Sequence, residues 1–202
     1  MTESDSYSFL ALGDSYTIGE GVPEKARWPN QLKDSLETAG IEVGTVDIIA
    51  QTGWTTWDLL GGIDAAQPGQ YDFVSLLIGV NNQFQKRPFI EYEVEFNTLL
   101  DAATEFAQGV ENVFVVSIPD YGVTPFGASN AQVIAEELDA YNEYAKQQAE
   151  ARGIPFIDIT EISRYLANSP VALAPDNLHP SGYQYGQWVS AILPTAIDIL
   201  AE

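Results

Sequence analysis

The stretch "YSFLALGDSY" at residues 7–16 joins an apolar run to a polar turn. The apolar run "YSFLAL" (7–12) is typical of a buried β-strand, and the Gly-Asp-Ser that follows is typical of a turn from a strand into a helix. A serine at such a turn is, on its own, most often a turn or N-cap residue. Its meaning therefore depends on which other residues lie at the same edge of the sheet.

Four further β-rich runs alternate with helical patterns along the chain. Strands are predicted at 44–50, 72–79, 112–118 and 154–159, and helices at 29–40, 54–66, 91–108, 130–152 and 182–201. The third and fourth strands are nearly continuous in apolar residues, which indicates a parallel sheet covered by helices on both faces. Gly40, Gly109 and Gly153 are expected to end helices. The pattern predicts a doubly wound α/β fold in a single domain over residues 1–202.

The charge of the chain is strongly negative. Eight Lys and Arg stand against 29 Asp and Glu, for a formal net charge of −21. Nucleic acid and anionic membrane surfaces would be repelled, and the absence of an apolar run of 18 residues argues against stable membrane insertion. The excess of acidic residues has two interpretations. It either keeps the protein soluble or is an adaptation to high salt, where screening weakens the repulsion between the negative charges.

The composition also limits cofactors and location. The chain has no cysteine and one histidine, so thiolate nucleophiles, zinc–thiolate sites and iron–sulfur clusters are excluded. Neither a phosphate loop nor a dinucleotide fingerprint occurs, and no metal or cofactor is expected. The N-terminus lacks the basic and apolar regions of a secretory signal, which favours a cytoplasmic protein. A secreted protein whose signal has been removed would look the same.

Polar residues follow the predicted strands at the ends where ligands bind in such folds. Ser15 follows the first strand, Gly53 in "QTGWTT" the second, and Asn81 in "GVNN" the third. Asp176 and His179 stand in "PDNLHPSGY", just before the last helix. Because the carboxyl ends of parallel strands meet at one edge, these residues are predicted to form one site.

This set of residue types is what nucleophilic acyl transfer needs. A serine hydroxyl requires a neighbouring base, and the base requires a third group that orients it. His179 is the only imidazole, and Asp176 lies three residues before it. The Ser15 and Gly53 amides and the Asn81 side chain are candidate donors to an oxyanion.

Four blocks resemble the GDSL/SGNH hydrolase superfamily, in that family's order. They are "GDSY" (13–16), "TGWTTWDLL" (52–60), "GVNN" (79–82) and "DNLHPSGY" (176–183). The resemblance implies a flavodoxin-like three-layer α/β/α sandwich with a five-stranded parallel sheet in the order 2-1-3-4-5. It also implies Ser15 as nucleophile, His179 as base and Asp176 as its orienting partner. Ser15, Gly53 and Asn81 would form the oxyanion hole.

One position departs from the resemblance, since Asn82 stands where the family usually has aspartate. That change bears on how the Asn81 loop is positioned. Trp54, Phe84 and Tyr121 are predicted to line the substrate pocket, with core packing as the alternative role.

The resulting prediction is a serine esterase that acts through an acyl-enzyme on a small-molecule acyl ester, such as a small soluble ester or a lysophospholipid. The alternatives are a carbohydrate O-deacetylase and a non-catalytic module that binds acyl or carbohydrate ligands on the same fold.

Overall fold

Five parallel strands form one sheet in the computed structural model, which describes residues 6–201. The strands are β1 (Tyr7–Gly13), β2 (Val43–Ala50), β3 (Phe73–Leu77), β4 (Val113–Val116) and β5 (Phe156–Ile157). Their order is β2-β1-β3-β4-β5, which confirms the predicted topology. The last strand has two residues and is shorter than the predicted 154–159.

Eight α-helices occur within residues 6–201 and cover both faces of the sheet. They are α1 (Ser15–Ile18), α2 (Trp28–Thr38), α3 (Thr56–Ala66), α4 (Val80–Phe84), α5 (Phe89–Ala107), α6 (Ala131–Ala151), α7 (Thr160–Tyr165) and α8 (Gly182–Ala201). Helices α2 and α8 pack together, and α5 packs against both α3 and α6. The short helices α1, α4 and α7 were not predicted, because fewer than two turns leave no readable hydrophobic period. In this part of the chain, none of the helices has the length and apolarity to cross a membrane.

The core lies on both sides of β1. Residues 9–12 of this strand have no solvent exposure, and the ring of Phe9 stacks on that of Phe73 at a centroid distance of 4.4 Å. Trp28 on α2 and Trp188 on α8 are also fully buried. Burial of successive residues is what a central parallel strand requires, and it accounts for the continuous apolar run at the start of the chain.

Two of the three predicted helix-ending glycines adopt the left-handed conformation. Gly40 has φ +87° and Gly153 has φ +79°. Gly109 also lies two residues beyond the end of its helix, α5, but there Gln108 takes the left-handed position with φ +62° and Gly109 is extended. The chain needs an extended residue there to enter a 3₁₀ turn at 110–112 before β4.

The sheet register aligns the chain segments that lead into the site. Gly13, the last residue of β1, pairs with Ala50 of β2 on one side and with Leu77 of β3 on the other. The last residues of β1, β2 and β3 therefore lie side by side across the sheet. The residues that follow them start from neighbouring points at the carboxyl edge of the sheet.

Candidate active site

Ser15 is the first residue of α1 and is 4% exposed. The turn that leads into it is tight, because a Cβ at Gly13 would lie 2.6 Å from the Leu77 carbonyl oxygen and would also overlap the Thr17 side chain. Asp14 caps the helix by accepting a hydrogen bond from the Tyr16 N–H at 3.0 Å. Local structure therefore explains both residues before the serine, because Gly13 allows the tight turn and Asp14 caps the helix.

Asp14, in the turn that carries Ser15, is fully buried. Its Oδ1 accepts the capping bond, whereas its Oδ2 has no hydrogen-bond partner among the described residues. Burial raises the pKa of Asp14 to about 7, and the hydrogen bond from Tyr16 opposes this rise. A carboxyl in this position is partly protonated near neutral pH.

His179 is held by Asp176 through the side chain. The distance from His179 Nδ1 to Asp176 Oδ2 is 2.7 Å. A carboxylate only accepts hydrogen bonds, so the proton lies on Nδ1 and the lone pair of the neutral ring lies on Nε2. Burial raises the pKa of Asp176, but hydrogen bonds from the His179 ring and from the Leu178 and His179 N–H groups outweigh it and lower the pKa overall.

The loop around His179 is braced by its own hydrogen bonds. Asp176 Oδ1 accepts from the backbone N–H groups of Leu178 and His179, each at 3.0 Å. The Ala174 N–H donates to the His179 carbonyl at 2.8 Å, next to an isolated antiparallel bridge between residues 173 and 180. His179 is 8% exposed, so the imidazole has a defined environment although no strand of the sheet carries it.

Gly53 and Asn81 lie in the loops that follow β2 and β3. Gly53 has φ +86°, a conformation that favours glycine, and its carbonyl accepts from Gln85 Nε2 at 3.1 Å. Asn81 Nδ2 donates to the Trp54 carbonyl at 2.9 Å. This bond uses one of the two amide hydrogens and orients the group, which leaves the second hydrogen for another acceptor.

Asn82 has a buried role of its own. It has no solvent exposure, and its Oδ1 accepts from the Thr56 N–H at 3.0 Å while its Nδ2 donates to Thr56 Oγ1 at 2.6 Å. The Thr56 hydroxyl in turn donates to Glu95. Because the Thr56 hydroxyl already donates its proton to Glu95, it can only accept a hydrogen bond from residue 82. An amide side chain can donate that bond and an ionised carboxylate cannot.

Four of the five residues predicted for the triad and the oxyanion hole line one cavity of about 220 Å³. These are Ser15, Gly53, Asn81 and His179, and Asp176 orients His179 through the bond described above. We call this space the catalytic cavity. Much of its remaining lining is apolar and consists of Val80, Phe84, Tyr121, Phe126 and Leu178.

The predicted aromatic residues divide between the cavity and the core. Phe84 and Tyr121 line the catalytic cavity, whereas Trp54 does not. The indole of Trp54 packs on Gly62 of α3, where an added Cβ would lie 2.6 Å from Trp54 Cζ3. Phe126 also lines the cavity, and its position in the loop after β4 was the sequence signal for it.

Leu178 is a lining residue that the sequence analysis did not identify. Its place beside the histidine was the available signal. Asp120 has a structural role, because it caps the Tyr121 turn and pairs with Arg164 at 3.0 Å.

The arrangement combines an oriented imidazole with a serine, amide donors and an apolar wall, which is a set suited to acyl transfer. Across residues 6–201, no group of three or more histidine, aspartate or glutamate side chains is arranged to hold a metal ion.

Comparisons with known proteins identify the family and the fold of this chain. The family model described as "GDSL-like Lipase/Acylhydrolase family" matches residues 11–186. Among solved structures, TesA is 15% identical with a TM-score of 0.74, and the match covers 95% of this chain and 99% of TesA. Axe2-W215I, an acetyl xylan esterase from Geobacillus stearothermophilus, is 21% identical with a TM-score of 0.73 and 97% coverage of both chains.

The psychrotrophic esterase EstA from Pseudoalteromonas sp. is 15% identical with a TM-score of 0.66, and the match covers 98% of this chain and 100% of EstA. No curated protein sequence matches significantly. At these identities the structural matches establish the fold, and the family model covers most of the chain. The chain therefore belongs to the GDSL-like lipase/acylhydrolase family.

Proposed function

We propose that this protein is a serine carboxylic-ester hydrolase that works through an acyl-enzyme. The observation that carries the proposal is the 2.7 Å hydrogen bond that His179 Nδ1 donates to Asp176 Oδ2. The His179 ring lines the same cavity as Ser15, Gly53 and Asn81. Ser15 is the nucleophile, His179 the general base and Asp176 the group that orients it. The Ser15 and Gly53 amides and Asn81 Nδ2 bind the oxyanion.

In the acylation step, Ser15 Oγ bonds to the ester carbonyl carbon as its proton passes to His179 Nε2. The negative charge that develops on the carbonyl oxygen is stabilised by the three N–H donors. His179 then donates the proton to the departing alcohol oxygen as the carbon–oxygen bond breaks. The products of this step are the free alcohol and an ester of Ser15.

In the deacylation step, a water attacks the Ser15 ester and gives a proton to His179 Nε2. The same donors bind the second oxyanion, and the proton returns to Ser15 Oγ as the carboxylic acid leaves. Asp176 remains ionised throughout and stabilises the protonated imidazole, in keeping with its lowered pKa.

The substrates we propose are small soluble esters or lysophospholipids. The apolar wall of the catalytic cavity suits an acyl chain, and a cavity of about 220 Å³ favours short chains. Carbohydrate O-deacetylation is the second candidate. It is supported by the structural similarity to Axe2-W215I, an acetyl xylan esterase.

The test is hydrolysis of p-nitrophenyl esters from acetate to palmitate by the wild type and by Ser15→Ala. We expect the variant to lose at least about 10⁴-fold in kcat, because the whole triad acts through this hydroxyl. Turnover of acetylated xylo-oligosaccharide in preference to p-nitrophenyl acetate would favour the deacetylase. Folded wild type that binds but hydrolyses none of these substrates would identify a binding module and overturn the proposal.

A further inference from the structure

A second cavity lies next to the catalytic cavity. It is a groove of about 390 Å³ between α4, α6 and the loop after β4. Phe84, Tyr121 and Phe126 line both spaces, and we call these three rings the aromatic partition.

The rings of the aromatic partition contact one another. Their centroids are 5.9 Å apart for Phe84 and Phe126, 6.2 Å for Phe84 and Tyr121, and 6.3 Å for Tyr121 and Phe126. These separations fall within the range for interacting aromatic pairs. The partition is therefore a continuous layer of side chains between the two cavities.

One ring of the partition is anchored, and two are exposed. The Tyr121 hydroxyl donates to Gln83 Oε1 at 2.8 Å, and Gln83 Nε2 donates to Glu137 on α6 at 2.6 Å. By contrast, Phe84 is 51% exposed and Phe126 is 53% exposed. Rotation of either phenylalanine costs little buried apolar area, so the partition is easiest to open on their side.

The groove presents polar and apolar surface in similar amounts behind the partition. Two of its polar side chains, Gln83 and Glu137, are hydrogen-bonded to each other through Gln83 Nε2 and one oxygen of the Glu137 carboxylate. Val133, which is 54% exposed, and the buried Ile134 add aliphatic surface on α6. Lys86 and Asn130 complete the polar part of the lining. A hydrocarbon chain that passed Phe126 would find aliphatic and aromatic partners there.

We propose that the aromatic partition sets the acyl-chain length of the enzyme, with Phe126 and Phe84 as the specificity-determining residues. The proposal rests on the ester hydrolase function argued above. Acyl groups that fit the catalytic cavity are hydrolysed with the partition in place. Longer chains require Phe126 or Phe84 to rotate, and their distal carbons then lie in the groove along Val133 and Ile134.

The experiment measures kcat/KM for p-nitrophenyl acetate, butyrate and octanoate with the wild type, Phe126→Ala and Phe84→Ala. We expect the octanoate-to-acetate ratio of kcat/KM to rise about 10- to 100-fold in Phe126→Ala, which is the scale of one or two methylene groups in an apolar pocket. Phe84→Ala should shift the ratio in the same direction. Tyr165→Ala, which removes an aromatic ring that is 89% exposed on α7, is the matched control and should leave it unchanged.

A second variant tests where the longer chain goes. Val133→Trp fills the groove from an exposed position on α6, and in the Phe126→Ala background it should return the octanoate-to-acetate ratio towards the wild-type value. Without that reversal, the opened partition does not lead the chain into the groove, and this part of the proposal fails.

The remaining outcomes separate this proposal from the function on which it rests. If the wild type hydrolyses no ester, the proposed function itself fails. If the wild type hydrolyses esters and the octanoate-to-acetate ratio is the same in Phe126→Ala, the function stands and the partition does not set chain length. A change in preference among acetate esters of different alcohols, with no change in acyl preference, would assign the groove to the alcohol and overturn the proposal.

Discussion

Ser15, Gly53 and Asn81 follow three neighbouring strands, whereas Asp176 and His179 lie in a loop that follows the short helix α7. The first group starts from strand ends that the register of β1, β2 and β3 brings into line. The second group is held by hydrogen bonds within residues 173–180. We call them the strand-end half and the loop half of the site.

The difference indicates how each half responds to substitution. The position of the strand-end half depends on the sheet, so a change in one of its side chains removes a chemical group and leaves the geometry. The position of the loop half depends on a small number of local hydrogen bonds, and three of these are accepted by the Asp176 carboxylate. A change there removes a group and its orientation together.

The largest expected effect in the loop half comes from Asp176→Asn. The amide oxygen can still accept the two backbone bonds, but an amide NH₂ facing Nδ1 favours the tautomer with the proton on Nε2. We expect kcat to fall by about 10³- to 10⁴-fold, with a melting temperature close to that of the wild type. Steady-state kinetics and thermal unfolding measure the two quantities.

Asp34→Asn is the matched control, because Asp34 is exposed on α2 and remote from His179 in the sequence. Wild-type kcat in Asp176→Asn would contradict the assignment of His179 orientation to this carboxylate.

In the strand-end half, Asn81→Ala should lower kcat by about 10²- to 10³-fold, since it deletes one of the proposed oxyanion donors. KM should change little, because the donor acts mainly in the transition state. Gln85→Ala is the control: it removes the 3.1 Å bond that braces the Gly53 carbonyl and leaves all three proposed donors. If Gln85→Ala costs as much as Asn81→Ala, this half also depends on local bracing, and the comparison fails.

The buried carboxyl in the turn that carries Ser15 makes stability depend on pH. The pKa of Asp14 is about 7 in the folded protein and lower in the unfolded chain, so the unfolded state releases its proton first as the pH rises. The free energy of unfolding contributed by Asp14 should therefore fall between about pH 4 and pH 7, by up to about 4 kcal/mol, and then level off.

Asp14→Asn should remove this part of the pH dependence while keeping the cap on α1, because an asparagine oxygen also accepts from the Tyr16 N–H. Urea unfolding at pH 4 and pH 8 measures the difference. An equal pH dependence in Asp14→Asn and the wild type would show that other groups cause it.

The smallest expected effect is that of Asn82→Asp, which restores the residue usual in the family. A carboxylate would face a Thr56 hydroxyl that already donates to Glu95, and the bond from Nδ2 would be lost. We expect a loss of about 1–3 kcal/mol in unfolding free energy at pH 8, and a smaller loss at pH 5. Glu95→Gln in the same chain should recover part of it, since the Thr56 proton is then released for position 82.

The alternation of strands and helices and the choice of candidate site residues could be predicted from local signals, whereas the strand order was implied by the resemblance to the GDSL/SGNH hydrolases. Apolar runs of the right length mark β1, β3 and β4, and polar residues directly after strands mark the edge of the sheet. The short strand β5 and the helices α1, α4 and α7 were mispredicted or missed, since they are too short to show a period and are stabilised by tertiary packing.

The side-chain environments could not be predicted in the same way. Trp54 and Phe126 have similar local signals, each being an aromatic residue in a loop after a strand. The structure places the first against Gly62 and the second in the catalytic cavity. The sequence likewise shows Asn82 only as a departure from the family motif, and the structure explains it by two hydrogen bonds to Thr56.

The sequence by itself determined the alternation of strands and helices, the net charge, the absence of cysteine and the single histidine, because these depend on composition and short-range pattern. Only the tertiary structure decided the 2.7 Å pairing geometry of Asp176 and His179, the buried state of Asp14 and the contact of three rings between two cavities. The physical reason is that distances and burial depend on packing between residues far apart in the chain, which no local pattern encodes.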